Sequence, residues 1–243
     1  MSKDFSIIIP CYNEGDRLKP FLVDLIHQMK DFKFFGEIIL VDDGSAKKDK
    51  EIYAQVIEDI NSPNIKLIHL NSNQGKGSAV RHGFELAEGR WIGFVDADGA
   101  TNAKEVFRLL FLALQSSHLS GVFASRILMF GYHVHRSTLR HLTGRIFVTL
   151  VDKILHIPVY DSQCGCKFFK RNDIMFFLPV CQEKGFLFDL EIIAFGYYRG
   201  LKFLEVPVDW TDIKGSKVNV VIDSIKMFLG LWRIKKRIKI KTR

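Results

Sequence analysis

Trp91-Ile92-Gly93-Phe94-Val95-Asp96-Ala97-Asp98-Gly99 decides the fold. Apolar, β-prone residues run straight into two carboxylates spaced i, i+2. That pattern predicts a buried strand with an acidic pair at its carboxyl end. In open α/β sheets ligands sit outside the carboxyl ends of the strands, so a site is expected there. Alternate residues of an extended chain point the same way, which lets Asp96 and Asp98 converge on one cation. Hard oxygen ligands in small number suit Mg²⁺ or Mn²⁺, with substrate phosphates filling the shell. Alone, Asp-x-Asp is also a common solvated turn, so its meaning depends on the rest of the chain.

Upstream, strand and helix patterns alternate. Phe5 to Pro10 is a β-rich apolar run closed by proline. Leu18, Phe21, Leu22, Leu25, Ile26 and Met29 share one face of a helix over Arg17 to Met29. Further strands are predicted at Glu37 to Val41 and Ile65 to Leu70, with helices at about Lys48 to Asn61 and Ser78 to Ala87. Short loops between such units imply a parallel sheet with helices on both faces. Downstream the pattern loosens. Helices are predicted over Lys104 to Gln115, Ser137 to Leu155 and Phe188 to Tyr198, and strands over Gly121 to Ala124, Gly165 to Lys170 and Leu201 to Val208. Apolar residues at 218, 221, 222, 225, 228, 229 and 232 predict a last, amphipathic helix.

At 243 residues and 47% apolar content the chain has enough material for a sizeable core in one globular unit. No run approaches the roughly 20 apolar residues needed to span a bilayer, and Met1 to Ser6 does not read as a signal peptide. Cys11, Cys164, Cys166 and Cys181 have no metal-ligand spacing and read as reduced thiols. The net charge of +8 is concentrated after Trp232, where seven cations stand with no acid. The remainder is nearly neutral, so the charge does not mark a nucleic-acid binder. The expected division is residues 1–217 as the main domain and 218–243 as a helix and basic tail, either a separate electrostatic device or a solvated end.

Three predicted strand ends carry polar loops: Pro10-Cys-Tyr12-Asn13-Glu14, Asp42-Asp43-Gly44-Ser45 and Asp96-Ala-Asp98-Gly99. Each alone is an ordinary turn or helix cap. On neighbouring strands they build one acidic crevice. Neither Gly-x-Gly-x-x-Gly nor Gly-x₄-Gly-Lys-Ser is present, which argues against hydride transfer and P-loop ATPase chemistry.

In order, Ile-Ile-Ile-Pro-Cys-Tyr-Asn-Glu, Val-Asp-Asp-Gly-Ser, Asn-Gln-Gly-Lys-Gly and Val-Asp-Ala-Asp-Gly-Ala-Thr resemble family 2 glycosyltransferases of the GT-A fold. Ala124-Ser125-Arg126, Asp161 to Phe169, Phe188-Asp189-Leu-Glu191, Val208-Asp-Trp210 and Gly215-Ser216-Lys217 look like the dolichyl-phosphate glucosyltransferase branch. The resemblance covers about residues 5 to 235. It implies a Rossmann-like, mostly parallel sheet with helices on both faces, and an inverting, metal-dependent transfer of a hexose from a nucleotide-sugar. Glucose from UDP-glucose to a polyprenyl phosphate is the expected reaction. GDP-mannose as donor or a saccharide hydroxyl as acceptor is the near alternative, and a non-catalytic sugar-nucleotide-binding scaffold is the distant one.

Carried onto this chain, the resemblance makes Pro10, Tyr12, Glu14, Asp42, Asp43, Gly75, Lys76 and Asp96 donor-binding residues. Asp96 and Asp98 would hold Mg²⁺ or Mn²⁺ on the diphosphate. A phosphate monoester has a second pKa of roughly 6, so the acceptor is largely dianionic and already nucleophilic near neutrality. Cations that position it are needed more than a strong base. Ser125, Arg126, Arg136, Ser216 and Lys217 are the candidates, with Arg140 beside them. Asp98, Arg126 and Asp189 are the expected catalytic residues. Asp189 matches the base of family members with hydroxyl acceptors; here it is either a base, an orienting group, or with Glu191 a plain helix N-terminal pair. One departure is Gly99-Ala100-Thr101 where many mannosyl relatives carry Gln, which agrees better with the glucosyl branch.

A lipid acceptor requires contact with a bilayer. Leu139, Leu142, Phe147, Leu150, Val151 and Ile154 with Arg140, His141 and Arg145, and separately Ile222 to Trp232 with the basic tail, suit interfacial helices on anionic lipid. Core-facing helices are the alternative. The expected location is cytoplasmic, peripheral on the cytosolic face of a membrane, with no nucleic-acid partner.

Overall fold

The structure, a computed structural model, describes residues 2–213 and 220–241. Its strands are β1 (Phe5–Cys11), β2 (Gly36–Asp42), β3 (Ile65–His69), β4 (Trp91–Val95), β5 (Gly121–Ser125), β6 (Val134–His135), β7 (Cys166–Lys170), β8 (Phe203–Pro207) and β9 (Trp210–Thr211). Its α-helices are α1 (Gly15–Lys30), α2 (Lys47–Ile60), α3 (Lys76–Leu86), α4 (Ala103–Gln115), α5 (Thr138–Leu155), α6 (Arg171–Ile174), α7 (Phe188–Tyr197) and α8 (Val220–Lys241). Seven strands form one sheet in the order β3-β2-β1-β4-β7-β5-β8, and β6 pairs with β9.

The first four strands are parallel, as their β-α-β units require. β7 runs antiparallel between β4 and β5, so the sheet is mixed. The chain reaches β7 from the opposite end, after the long excursion through α5. β2 is buried along its whole length and β1 almost so, and both read as continuous apolar runs because helices cover both faces.

Alternation sorts β1 into two cores. Phe5, Ile7 and Ile9 join a cluster beneath α1, α2 and α4, while Ile8 joins one beneath α3, α5, α7 and α8. The predicted face of α1 is found: Leu18, Phe21, Leu22, Leu25 and Ile26 are buried. Asn102 caps α4, its side-chain oxygen accepting from the Glu105 N–H at 3.0 Å. Strand order reverses at β1, which lies between β2 and β4. The crevice outside the carboxyl ends of β1, β2 and β4 is thus fixed by topology.

The basic C-terminal segment is not frayed. α8 is helical to Lys241, and Leu231, Ile234 and Ile238 are buried in the second core. The expected 217/218 boundary falls in the segment outside the described residues. No described helix is long and apolar enough to cross a membrane.

Candidate active site

A cavity of about 900 Å³ opens at the predicted crevice. Pro10, Tyr12 and Glu14 line it from the end of β1, Asp43 from the end of β2, Gly75 and Lys76 from the start of α3, and Asp96 and Asp98 from the end of β4. Asp96 lies 84 positions after Tyr12, and the parallel pairing of β1 with both neighbours brings their loops together. The wall opposite comes from the 182–187 segment and from Met227, Leu229, Arg233 and Arg237 of α8. Nothing in the sequence pattern had assigned that wall to the site.

The acidic pair is crowded. Burial pushes the Asp98 carboxyl above its ordinary range, and the neighbouring Asp96 charge adds to that. One Asp98 oxygen accepts from the Ala100 N–H at 3.0 Å. Asp96 is ion-paired with Lys76, and its backbone N–H donates to the Gly165 carbonyl at 2.9 Å. Burial disfavours the Lys76 ammonium, but Asp96 outweighs it and raises the group above its usual value. Gly165 faces the Asp96 carboxylate: a Cβ there would lie 2.0 Å from Oδ2. Only glycine leaves room for that side chain.

Asp42 and Asp43 divide their work. Asp43 faces the cavity and accepts from the Gln74 and Gly75 N–H groups, both at 2.8 Å. Burial raises its carboxyl above the ordinary value despite those donors. Asp42 does not line the cavity. It is fully buried, accepts from the Ser45 N–H at 2.9 Å and lies 2.8 Å from His69 Nδ1. Of the two aspartates expected at the nucleoside, only Asp43 faces the cavity, because alternation along β2 puts Asp42 on the side of Ile38 and Leu40.

Asp189 does not line the cavity. It is buried at the start of α7, and its Oδ2 lies 2.5 Å from Lys167 Nζ. Lys167 is itself fully buried on β7 and donates to the Ser162 and Cys164 carbonyls. Lys76 and Lys167 both approach the Phe94 ring, at 5.2 and 5.7 Å. Glu191, two residues on, accepts from the Gln182 and Glu183 N–H groups at 2.7 and 2.8 Å. The pair is therefore more than a macrodipole ornament: each carboxylate has a specific buried partner. Lys167 was missed; a lysine between Cys166 and the apolar Phe168-Phe169 pair was the available signal.

Of the predicted acceptor residues, Arg126 and Arg136 lie apart from the large cavity, around a small crevice. Arg126 binds Asp161 through two hydrogen bonds, both 2.7 Å, and the aspartate also accepts from the Arg126 N–H. Burial opposes the Arg126 charge, but Asp161 outweighs it and holds the guanidinium above its usual value. Asp161 is correspondingly held well below the carboxylate range. Arg136 contacts His141, its Nε is buried without a partner, and burial with the Arg126 charge lowers its affinity for the proton. Arg145, expected only in membrane contact, lies 4.4 Å over the Tyr160 ring and completes the cationic lining. Ser125 is fully buried, with its hydroxyl unpartnered. Gln163 lines the crevice and contacts Met227 Sδ at 3.5 Å, which joins it to the large cavity. Ser216, Lys217 and the Arg140 side chain lie outside the described residues. All four cysteines are buried and free.

Residues 6–176 match the profile described as Glycosyl transferase family 2. The chain belongs to glycosyl transferase family 2. Among curated proteins of this family it is 34% identical over 250 residues to a dolichyl-phosphate beta-glucosyltransferase of Dictyostelium discoideum, covering 95% of this chain and 76% of that one. It is 31% identical to the Saccharomyces cerevisiae protein of the same name, over 91% of this chain and 71% of that one. Among solved structures, glucosyl-3-phosphoglycerate synthase of Mycobacterium tuberculosis in complex with Mn²⁺, uridine diphosphate and glucosyl-3-phosphoglycerate superposes with a TM-score of 0.71. That match covers 98% of this chain and 80% of the other at 13% identity, and it shows the fold. The family 2 chain is a glycosyltransferase with the GT-A architecture, as its strand-end motifs led one to expect.

Proposed function

We propose that the protein transfers glucose from UDP-glucose to a polyprenyl phosphate of the dolichyl type, at a membrane surface and with inversion at the anomeric carbon. The observation that carries this reading is the acidic pair Asp96 and Asp98 facing a nucleotide-sized cavity that Asp43 and Lys76 also line. The names of the family relatives at about a third identity support glucose and a dolichyl-type acceptor.

The site suits a divalent cation. Two carboxylates face the same space, and burial with mutual repulsion raises Asp98, the mark of negative charge in need of a counter-ion. Among the described residues no cluster of three or more His, Cys, Asp or Glu could complete a shell, so further ligands must come from substrate phosphates and water. Asp96 and Asp98 would hold Mg²⁺ or Mn²⁺. When bound, such an ion would supply positive charge against the diphosphate leaving group.

The protein's own groups do the rest. Asp43 accepts hydrogen bonds from the base or ribose, Tyr12 and Pro10 flank the nucleoside, and Lys76 adds a cation beside the diphosphate. The reacting acceptor oxygen attacks the anomeric carbon, the bond from that carbon to the UDP oxygen breaks, and UDP leaves with the electron pair. A dianionic phosphate has no proton to lose, so no base is needed. That agrees with Asp189, whose carboxylate is held by Lys167: it orients the β7 side of the site. Arg126, Arg136 and Arg145 recognise the acceptor phosphate.

Exposed apolar side chains supply the membrane contact. Leu142 and Ile146 project from α5, Phe228, Leu229 and Trp232 from α8, and Leu128, Met129 and Phe130 from the loop that follows Arg126. Phe147, Val151 and Ile154 of α5 are buried instead, so only part of the predicted apolar face is open to lipid. Product analysis with UDP-glucose, GDP-mannose and a short polyprenyl phosphate tests the reading. Glucosyl phosphoprenol from UDP-glucose supports it; mannosyl product, or transfer only to a sugar hydroxyl, overturns it.

A further inference from the structure

Between the start of α3 and α8 runs the 182–187 segment, which forms one wall of the large cavity. It is held from both sides. Its Lys184 carbonyl accepts from the Ser78 N–H at 3.2 Å, and a Cβ at Gly75 would lie 2.6 Å from that same carbonyl oxygen. Gly75 is the residue whose N–H donates to Asp43, so this wall abuts the nucleoside loop directly. On the other side Glu183 is clamped by α8. Arg233 reaches it with Nε at 3.0 Å and Nη2 at 2.8 Å, and Arg237 Nη2 reaches it at 2.6 Å. Arg237 Nε binds Glu191 at 2.6 Å, and the other Glu191 oxygen accepts the Gln182 and Glu183 N–H groups. Leu187 packs so closely on α8 that a Cβ at Gly230 would lie 2.2 Å from its Cδ1.

From this we infer that Arg237, Glu183 and Glu191 are positioning residues for the donor site, and that the basic C-terminal helix sets nucleotide affinity independently of any lipid. The inference rests on the donor cavity being a UDP site. Four charged side chains form the clamp: Glu191 is fully buried, Glu183 9% and Arg237 17% exposed, and Arg233, at 53%, is its open edge. Removing Arg237 leaves the buried Glu191 without its cation, beside a Glu183 that keeps only the half-exposed Arg233, so this wall must then move. The basic charge of the tail is therefore partly spent inside the molecule. Arg233 and Arg237 serve the cavity, while Lys236 is exposed.

The test is calorimetric titration of UDP with Mn²⁺ into the full chain in lipid-free buffer. R237A should weaken UDP at least tenfold, R237K should recover part of that, E183Q should weaken it several-fold, and K236A should leave it unchanged. Loss of folded protein lowers the stoichiometry and leaves Kd alone, so the readout separates positioning from mere stability. If R237A does not fold, R237K and E183Q carry the test. Wild-type Kd in R237A, or in both milder variants, overturns the inference. Failure of the wild-type protein to bind UDP overturns the proposed function instead.

Discussion

Replacing Gly165 by alanine probes the acidic pair without touching either carboxylate. Gly165 does not have a positive φ, so alanine meets no left-handed backbone strain there. Its methyl, however, would stand 2.0 Å from Asp96 Oδ2 and 2.3 Å from Cγ, where ordinary contact begins at 3.4 Å. The Asp96 carboxylate must therefore retreat by about 1.4 Å, and the Lys76 pair with it. A misplacement of about 1 Å at a reacting centre costs on the order of 100-fold. The variant should lose about 100-fold in kcat/KM, equal to about 2.7 kcal/mol of transition-state stabilisation. The Asp96 N–H to Gly165 carbonyl bond is independent of the side chain, so thermal stability should change little. Steady-state transfer assays with a Mn²⁺ titration, beside a melting curve, read both effects. Wild-type kcat/KM with unchanged Mn²⁺ dependence in G165A would refute a role for Asp96 at the reacting centre.

Other perturbations reach different parts of the account. D98N should lower turnover by about 100-fold or more while UDP stoichiometry stays at one site, as charge stabilisation of a leaving group implies; single-turnover product formation measures it. K167M leaves Asp189 buried and unpaired, so denaturant unfolding should show a loss of about 3–5 kcal/mol. Glu37 is held below its ordinary value, burial being outweighed by Lys3 and Lys66. A depressed carboxylate stabilises the fold above its unfolded pKa and loses that contribution as pH falls through the folded one. The gap in stability between wild type and E37Q, about 1–2 kcal/mol at pH 7, should close on acidification below about pH 4 in melting curves. F130S combined with W232S should weaken sedimentation with anionic vesicles about tenfold, and added salt should weaken the remainder, since both apolar insertion and basic attraction are lost in turn.

What the sequence disclosed follows from range. Trp91 to Val95 and its acidic pair are legible because a buried strand is a local pattern and its carboxyl end is where sites form. The β-α-β-α-β-α-β order is legible for the same reason, and it fixes which loops meet. Ion-pair partners are not local. Lys167 with Asp189, Arg126 with Asp161, and Arg237 with Glu183 span 22, 35 and 54 residues. No periodicity reports which distant carboxylate a cation finds. The reading of Arg126 as a bare phosphate ligand and of the basic tail as a separable device both lacked that information. The antiparallel entry of β7 was hidden likewise, since a short apolar run carries no sign of direction.

The central claim is transfer of glucose to an anionic lipid head at the Asp96–Asp98 site. The most direct measurement incubates the protein with UDP-glucose, Mn²⁺ and a short polyprenyl phosphate, then determines product mass and anomeric configuration. The account predicts a β-linked glucosyl phosphoprenol that disappears on chelation and in D98N. An α-linked product, or equal yield from D98N and wild type, would contradict it.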